Sequence, residues 1–328
     1  MKYNFCTLFD KNYLSHVLSL YDSLERHVPS FVIYCFCMDD ESFKTIKKIK
    51  KRGIIPISYN QLEIHYPELL IAKSNRSIIE YYFTCTSAIC SFIFDNYSDT
   101  DLLTYLDADL YFFSSPEPIY KELEGASIGI IEHKFNFIGK LLYEKYGKYN
   151  VGWTSFKNDK VGRKCLEDWR LNCMSWCYDR LENGQFADQK YLDYWIEKYS
   201  GVHVIKYIGA NLAPWNVGKY NIEIDLKTKQ VKVNKQNLIF YHFASFKQLD
   251  KYEYKTNISL YFTYLSIKIK NFIYLPYLSS LGKYNKKNGV EFNITNRIDN
   301  RQKGFIKKTK ELSHRLRRFI FNDYIKIK

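Results

Sequence analysis

An α/β fold with a basic helical extension at its C-terminal end is what the sequence predicts, and three observations carry the prediction. Apolar runs of strand character alternate with stretches of helical periodicity over the first 60 residues. A further strand-like run, DLLTYLDADLYFF, is broken by two acids. The excess of positive charge is gathered in residues 251–328.

The elements follow in order. YNFCTLF is a short run of β-type residues, followed by a loop at Asp10-Lys11-Asn12 and by YLSHVLSLYDSLERH, whose apolar positions recur at helical spacing. FVIYCFCMDD is nearly continuous in apolar residues, as in strands covered on both faces. Residues 41–52 read as an amphipathic helix and GIIPISY as another strand. This β-α-β-α-β order predicts a parallel sheet with right-handed crossovers. A helix is expected at about 76–95, before the acid-broken strand. No internal repeat is present.

At 328 residues, 46% hydrophobic and 26% charged, the chain suits one large α/β domain with an appendage and has enough apolar surface for a sizeable core. Its Gly 14 and Pro 7 exclude collagen-like and low-complexity architectures. No apolar stretch approaches the length of a spanning helix, and Asp10 interrupts the place where a signal peptide would carry its apolar run. The expectation is a cytoplasmic chain. The eight cysteines form no paired C-x-x-C knuckles, so buried, reduced thiols are expected instead of a zinc site.

Residues 251–328 hold 18 Lys and Arg against 5 Asp and Glu, whereas residues 1–250 hold 31 against 30. The sequence therefore divides into a nearly neutral domain, 1–250, and a basic extension, 251–328. In the extension Phe305, Ile306, Leu312, Leu316, Phe319 and Ile320 fall at helical spacing, interleaved with Lys307, Lys308, Lys310, Arg315, Arg317 and Arg318. A basic amphipathic helix of this kind suits the headgroup plane of an anionic bilayer. A solvated helix packed on the main domain and an RNA-binding arm are the alternatives. The aliphatic content exceeds what phosphate binding requires and favours the membrane surface. Whether the extension begins as one helix or two depends on Pro276.

No G-x-G-x-x-G, G-x-x-x-x-G-K-[ST], H-E-x-x-H or G-x-S-x-G occurs, which removes the usual support for dinucleotide, P-loop, zinc-protease and α/β-hydrolase readings. The sharpest feature is Asp107-Ala108-Asp109. Open α/β sheets bind ligands outside the carboxyl ends of their strands. Two carboxylates there offer hard oxygen ligands to one Mn²⁺ or Mg²⁺, whose remaining positions accept diphosphate oxygens. Taken alone, the pair is equally a solvated acidic turn.

YLDADLYFFSSP resembles the metal-binding D-x-D of GT-A glycosyltransferases, in particular the retaining enzymes of glycosyltransferase family 8 that elongate bacterial lipopolysaccharide. The resemblance covers about residues 1–250. Thr7, Asn12 and Tyr13, on the opening strand and loop, match the nucleotide-binding start, where an aromatic ring stacks on uracil. Arg76 begins the helix ahead of the D-x-D, where the family often has a basic residue near the donor. Asn150-Val151-Gly152 is similar to the N-x-G beside the sugar, Asp188-Gln189 to the pair lying against it, and Tyr241-His242-Phe243 to the strand bringing a third metal ligand. The chain departs after His242. The family continues with Gly and then Lys-Pro-Trp, whereas here Phe-Ala-Ser-Phe leads to Lys247, so a sister family fits as well as membership.

The resemblance implies a GT-A, Rossmann-like nucleotide-diphospho-sugar transferase with a mixed sheet. It further implies Mn²⁺ (or Mg²⁺) on Asp107, Asp109 and His242, with Arg76 and Lys247 at the diphosphate. Asp188 would hold sugar hydroxyls and Gln189 would lie under C1. Trp215 and Asn216 are read as acceptor or sugar contacts. The expected reaction moves a hexose or N-acetylhexosamine from a nucleotide sugar, with UDP favoured, to a surface-glycan, lipopolysaccharide or other glycolipid acceptor, with retention, at the inner face of the cell membrane. Three other readings compete, one of them a non-catalytic scaffold with a degenerate site, against which the intact acids argue. A nucleic-acid-binding protein using the basic extension leaves the acids and His242 unexplained. Another metal-dependent nucleotide-sugar enzyme, such as a nucleotidyltransferase, would carry a Gly-rich basic loop that CTLFDKNYLSHV lacks.

Overall fold

The structure, a computed structural model, describes residues 2–288 and 319–327. The strands β1 (Tyr3–Phe9), β2 (Phe31–Cys37) and β3 (Ile54–Ser58) pair in parallel, as the alternating pattern predicts. The apolar run 101–113 does not remain one strand. It splits into β4 (Leu102–Leu106) and β5 (Leu110–Phe112), with a turn at Asp107-Ala108-Asp109. β6 (Ile128–Glu132), β7 (Tyr149–Lys157) and β8 (Val202–Ile205) complete a seven-stranded sheet in the order β3-β2-β1-β4-β7-β6-β8. β7 runs antiparallel to both β4 and β6, so the sheet is mixed. The strand order reverses between β1 and β4, the kind of switch point that opens a crevice at the carboxyl ends of the strands.

Burial on both faces explains the near-continuous apolar runs. Tyr34 and Phe36 of β2 enter one core with Cys85, Ile89 and Trp169, carried by the helices Ile78–Asn96 and Lys160–Ser175. Ile33, Cys35 and Cys37 enter the other with Val17, Leu18 and Leu24 of the helix Leu14–His27. The helices start where their caps say. Asp39 accepts from the Ser42 amide ahead of the helix Asp40–Ile49, and Ser77 and Glu80 form a capping box at Ile78. All eight cysteines are free and buried, as expected from their apolar surroundings.

Short strands carry the chain around the crevice. β9 (Ile222–Ile224), β10 (Val231–Val233) and β11 (Gln236–Asn237) form a small antiparallel sheet. β12 (Phe240–His242) pairs antiparallel with β5, placing His242 opposite Leu110. β13 (Lys247–Gln248), β14 (Glu253–Lys255) and β15 (Tyr324–Lys326) form a third sheet.

Residues beyond 250 share a core with what precedes them: Tyr254, Ile258, Tyr274, Tyr277, Leu281 and Ile325 pack with Tyr241 and Phe243. Pro276 does not divide this part into two helices. A π turn at Lys270–Tyr274, closed by the Leu275 amide on the Lys270 carbonyl, leads into the helix Leu275–Asn288. A proline lacks the N–H of a regular α turn, and the wider turn accommodates that loss. The helix lies against Leu14–His27, where Lys283 and Lys51 meet Asp22 at 2.7 and 2.9 Å. Of the expected amphipathic segment 305–320, only Phe319 and Ile320 belong to the described residues, and both are exposed. Among the described residues no helix is long and apolar enough to cross a membrane.

Candidate active site

The acids stand where β4 ends. The Asp107 amide bonds to the Gly152 carbonyl on β7, and the Leu110 amide bonds back to the Asp107 carbonyl, closing the turn. The Phe243 amide reaches the Asp109 carbonyl, so the β5–β12 pairing brings His242 to the acids. Nε2 of His242 lies 3.4 Å from Asp107 Oδ2 and 3.2 Å from Asp109 Oδ1. One ligand atom from each of the three residues falls within 4.8 Å of the others.

A polar network fixes this cluster. The hydroxyl of Tyr105, on β4 two residues before Asp107, donates to Asp107 Oδ1 at 2.8 Å. His242 Nδ1 faces Asn150 Oδ1 at 3.2 Å. Asn150 Nδ2 donates to Gln189 Oε1 at 3.0 Å and approaches His133 Nε2 at 3.4 Å. Gln189 is held at both ends: Oε1 also accepts from the Val151 amide, and Nε2 donates to the Tyr146 carbonyl. Trp169 Nε1 donates to the Asp188 carbonyl. Ala187, just before Asp188, has φ +47°, a left-handed conformation that an alanine adopts only where its surroundings enforce it.

The electrostatics follow from burial and like charge. Burial raises the Asp107 carboxyl above its ordinary range and Asp109 adds to the rise, with the opposing pull of His242 too weak to cancel it. At Asp109 burial also pushes upward, but His242, through its charge and hydrogen bond, holds the carboxyl below the ordinary range. Burial alone would keep His242 neutral, yet the two acids raise its pKa. Asp188 is pushed up to about 7, first by burial and then by Asp107. Burial pushes His133 down to about 3.

The structure thus joins Asp107, Asp109, His242, Asn150 and Gln189 in one network and places Asp188 within electrostatic reach of Asp107. Trp215 closes one wall, its ring 5.1 Å from that of His242 and edge-on to it. Asn216 turns inward. It donates to the carbonyls of His133 and Asn211 and accepts from the Ala213 amide. Tyr13 is 45% exposed at the cleft, and Asn12 donates to the neighbouring Asp10 carboxylate. Thr7 is fully buried on β1. The Arg76 guanidinium donates to Thr84 and to the carbonyls of Cys173 and Met174, tying two helices together. Lys247 is exposed at the start of β13, outside the network.

Sequence reasoning missed Tyr105 and His133. For Tyr105 the signal was its place two residues before Asp107 in the same apolar run. His133 has no local signature. Its carbonyl accepts from Trp215 and Asn216, more than 80 residues away.

No protein-family model matches the chain. It is 29% identical over 284 residues to the uncharacterized protein YfnD of Bacillus subtilis (strain 168), covering 86% of this chain and 89% of YfnD. It is also 29% identical over 255 residues to the uncharacterized protein YfnF of the same organism, covering 74% of this chain and 81% of YfnF. Among solved structures, the galactosyltransferase LgtC in complex with donor and acceptor sugar analogues superposes with a TM-score of 0.55 at 13% identity, over 87% of this chain and 99% of LgtC. The chain has the GT-A glycosyltransferase fold. The bifunctional glycosyltransferase WbbM shares it with a TM-score of 0.52 at 11% identity, over 88% of this chain and 51% of WbbM. The acids follow β4 and Tyr13 follows β1, at the carboxyl ends of these neighbouring strands.

Proposed function

We propose that this chain is a metal-dependent glycosyltransferase that moves a hexose or N-acetylhexosamine from a UDP-sugar to a hydroxyl of a surface-glycan or lipopolysaccharide-type acceptor, with retention. The observation that carries the reading is the Asp107–Asp109–His242 cluster, linked through Asn150 to Gln189.

The residues fit a divalent cation. Asn150 presents its carbonyl oxygen to His242 because its amide nitrogen is engaged by Gln189, so the imidazole proton sits on Nδ1 and the Nε2 lone pair faces the carboxylates. A neutral imidazole in that tautomer cannot hydrogen-bond the acids, so either Nε2 takes a second proton or a cation lies between them. Two carboxylates and an imidazole suit Mn²⁺, and Mg²⁺ less well. Bound there, such an ion would supply Lewis-acid stabilisation to the departing diphosphate.

The chain's own groups do the rest. Tyr105 locks the Asp107 carboxylate, and Asn150 orients both His242 and Gln189. Asp188 is shaped for hydrogen bonding to sugar hydroxyls. Gln189 Oε1 already accepts two hydrogen bonds, which commits both lone pairs. That argues for front-face attack by the acceptor hydroxyl over a covalent glycosyl-enzyme. Trp215 and the buried polar loop behind it keep water from the reacting centre.

The deciding experiment is nucleotide release from UDP-, GDP- and CMP-sugars with Mn²⁺ and with EDTA. Release from one donor, abolished by EDTA, is the expected result. No release, and no metal-dependent thermal shift with any nucleotide, would overturn the assignment. We place the protein peripherally at the inner face of the cell membrane. The basic segment 251–328 and the exposed Phe262, Tyr264, Ile267 and Phe319 support this location. Cosedimentation with anionic vesicles, and not with zwitterionic ones, tests it.

A further inference from the structure

The C-terminal helix reaches the cleft through one side chain. Tyr277, fully buried, stacks on Phe243 with ring centroids 3.8 Å apart and an interplanar angle of 17°. Phe243 is the residue whose amide holds the Asp109 carbonyl. The Tyr277 hydroxyl lies 2.6 Å from Nδ1 of His16, in the first turn of the helix that leaves β1. The His16 ring in turn packs 4.8 Å from that of Tyr13. His16 is only partly covered, and among the described residues no protein group hydrogen-bonds its Nε2. A phenol is a better donor than acceptor toward a neutral imidazole nitrogen. Tyr277 therefore donates to Nδ1 and the remaining proton sits on Nε2. Burial keeps this imidazole neutral, its pKa pushed down to about 4, with the nearby Asp109 charge opposing the shift.

We propose that His16 is a donor-binding residue, its Nε2–H donating to a phosphate oxygen of the nucleotide-sugar diphosphate, and that Tyr277 is the positioning residue that fixes its tautomer and ring. The inference rests on the glycosyltransferase reading and adds a residue pair to it. A segment 261 residues away in sequence then completes the donor site. A neutral donor suits this place, because a cation there would compete with the metal for the acids.

The test measures the affinity of UDP, GDP and CDP, each with Mn²⁺, together with uridine and Mn²⁺ alone, by calorimetry on the full chain. His16→Phe keeps the ring packing and removes the donor. It is expected to weaken the diphosphate that wild type binds on the order of tenfold, as for one lost hydrogen bond to a charged acceptor. Mn²⁺ binding and uridine binding stay unchanged, whereas Tm falls modestly because the buried Tyr277 hydroxyl loses its partner. His16→Gln, whose amide nitrogen reaches the position of Nε2, restores much of the loss. Tyr277→Phe keeps the stack on Phe243 and loses several-fold. If wild type binds a diphosphate and both Phe variants bind it equally well, the His16 assignment fails while the glycosyltransferase reading stands. If wild type binds none of the diphosphates with Mn²⁺, both fail.

Discussion

Gly152 and His242 are in contact so close that any side chain at position 152 would force its neighbours to shift: a Cβ there would lie 2.8 Å from Cε1 and 2.9 Å from Nδ1 of His242, and 2.7 Å from Asn150 Oδ1. The N-x-G segment of β7 thus shapes the metal cluster from behind. Gly152→Ala should push the imidazole off Asn150 and lower Mn²⁺ affinity about 10- to 100-fold, the usual effect of disturbing a ligand's supporting partner. Mn²⁺ titration by electron paramagnetic resonance checks this, with far-UV circular dichroism unchanged.

Asp109→Ala removes one carboxylate of the cluster and leaves the β5–β12 pairing intact, since that pairing uses the Asp109 carbonyl and not its side chain. A ligand at a hundred times its Kd stabilises a protein by about 2.7 kcal/mol. The variant should lose the whole thermal shift that Mn²⁺ with nucleotide gives wild type, and with it donor turnover. Differential scanning fluorimetry with and without EDTA reads the outcome.

Asp188 sets a pH dependence whose sign is fixed by its raised pKa. Native Asp188 holds its proton up to about pH 7, whereas an unfolded aspartate releases it near 3.8. Between those values the native state binds more protons than the unfolded one, so this group's contribution to stability falls as pH rises and is gone above 7. In EDTA-treated protein, Asp188→Asn should remove this part of the decline. Its Tm should therefore drop several degrees less than that of wild type between pH 5 and 8.

Asn216→Ala would strip the Ala213 amide and the Asn211 carbonyl of their partner inside a buried loop, while the His133 carbonyl keeps Trp215. Leaving such groups unpaired costs about 2–4 kcal/mol in total. The same loop carries Trp215 against His242. Urea unfolding should show the destabilisation, and donor affinity should fall with it.

The pieces of this fold that were legible in the sequence are those set by local pattern. The parallel β1-β2-β3 unit reads directly from alternating periodicities, because β1 and β2 are buried on both faces and the helix Asp40–Ile49 on one. Asp107 and Asp109 stand out because acids are costly inside an apolar strand, and that cost is also why the run breaks into β4 and β5 there. What was not legible depends on partners far apart in sequence. β7 lies between β4 and β6 through antiparallel pairings that no local signal announces. His133 meets Asn150 through its ring and Trp215 and Asn216 through its carbonyl, partners that only folding brings together. Arg76 reads as a ligand from its charge, but its guanidinium is engaged by main-chain carbonyls that only the folded chain brings near. The boundary read at residue 250 follows charge, whereas the third core follows apolar burial, and its members lie on both sides of that position.

A chain ending at residue 250 should therefore not behave as a free-standing domain. It would bare Tyr241 and Phe243 and lose the six apolar partners named from 254 to 325. Loss of a cooperative melt, or of soluble expression, is expected, and a sharp calorimetric transition from 1–250 alone would contradict it.

The pairing of β15 with β14 changes what the basic segment is. Glu253–Lys255 and Tyr324–Lys326 are hydrogen-bonded neighbours, and the helix ending at Asn288 is docked on the main body. The described residues on either side of 289–318, a stretch with nine Lys and Arg against three Asp and Glu, are therefore both tied to the main body. A single cut between residues 288 and 319 should leave both flanking segments attached to the main body, each by its own contacts.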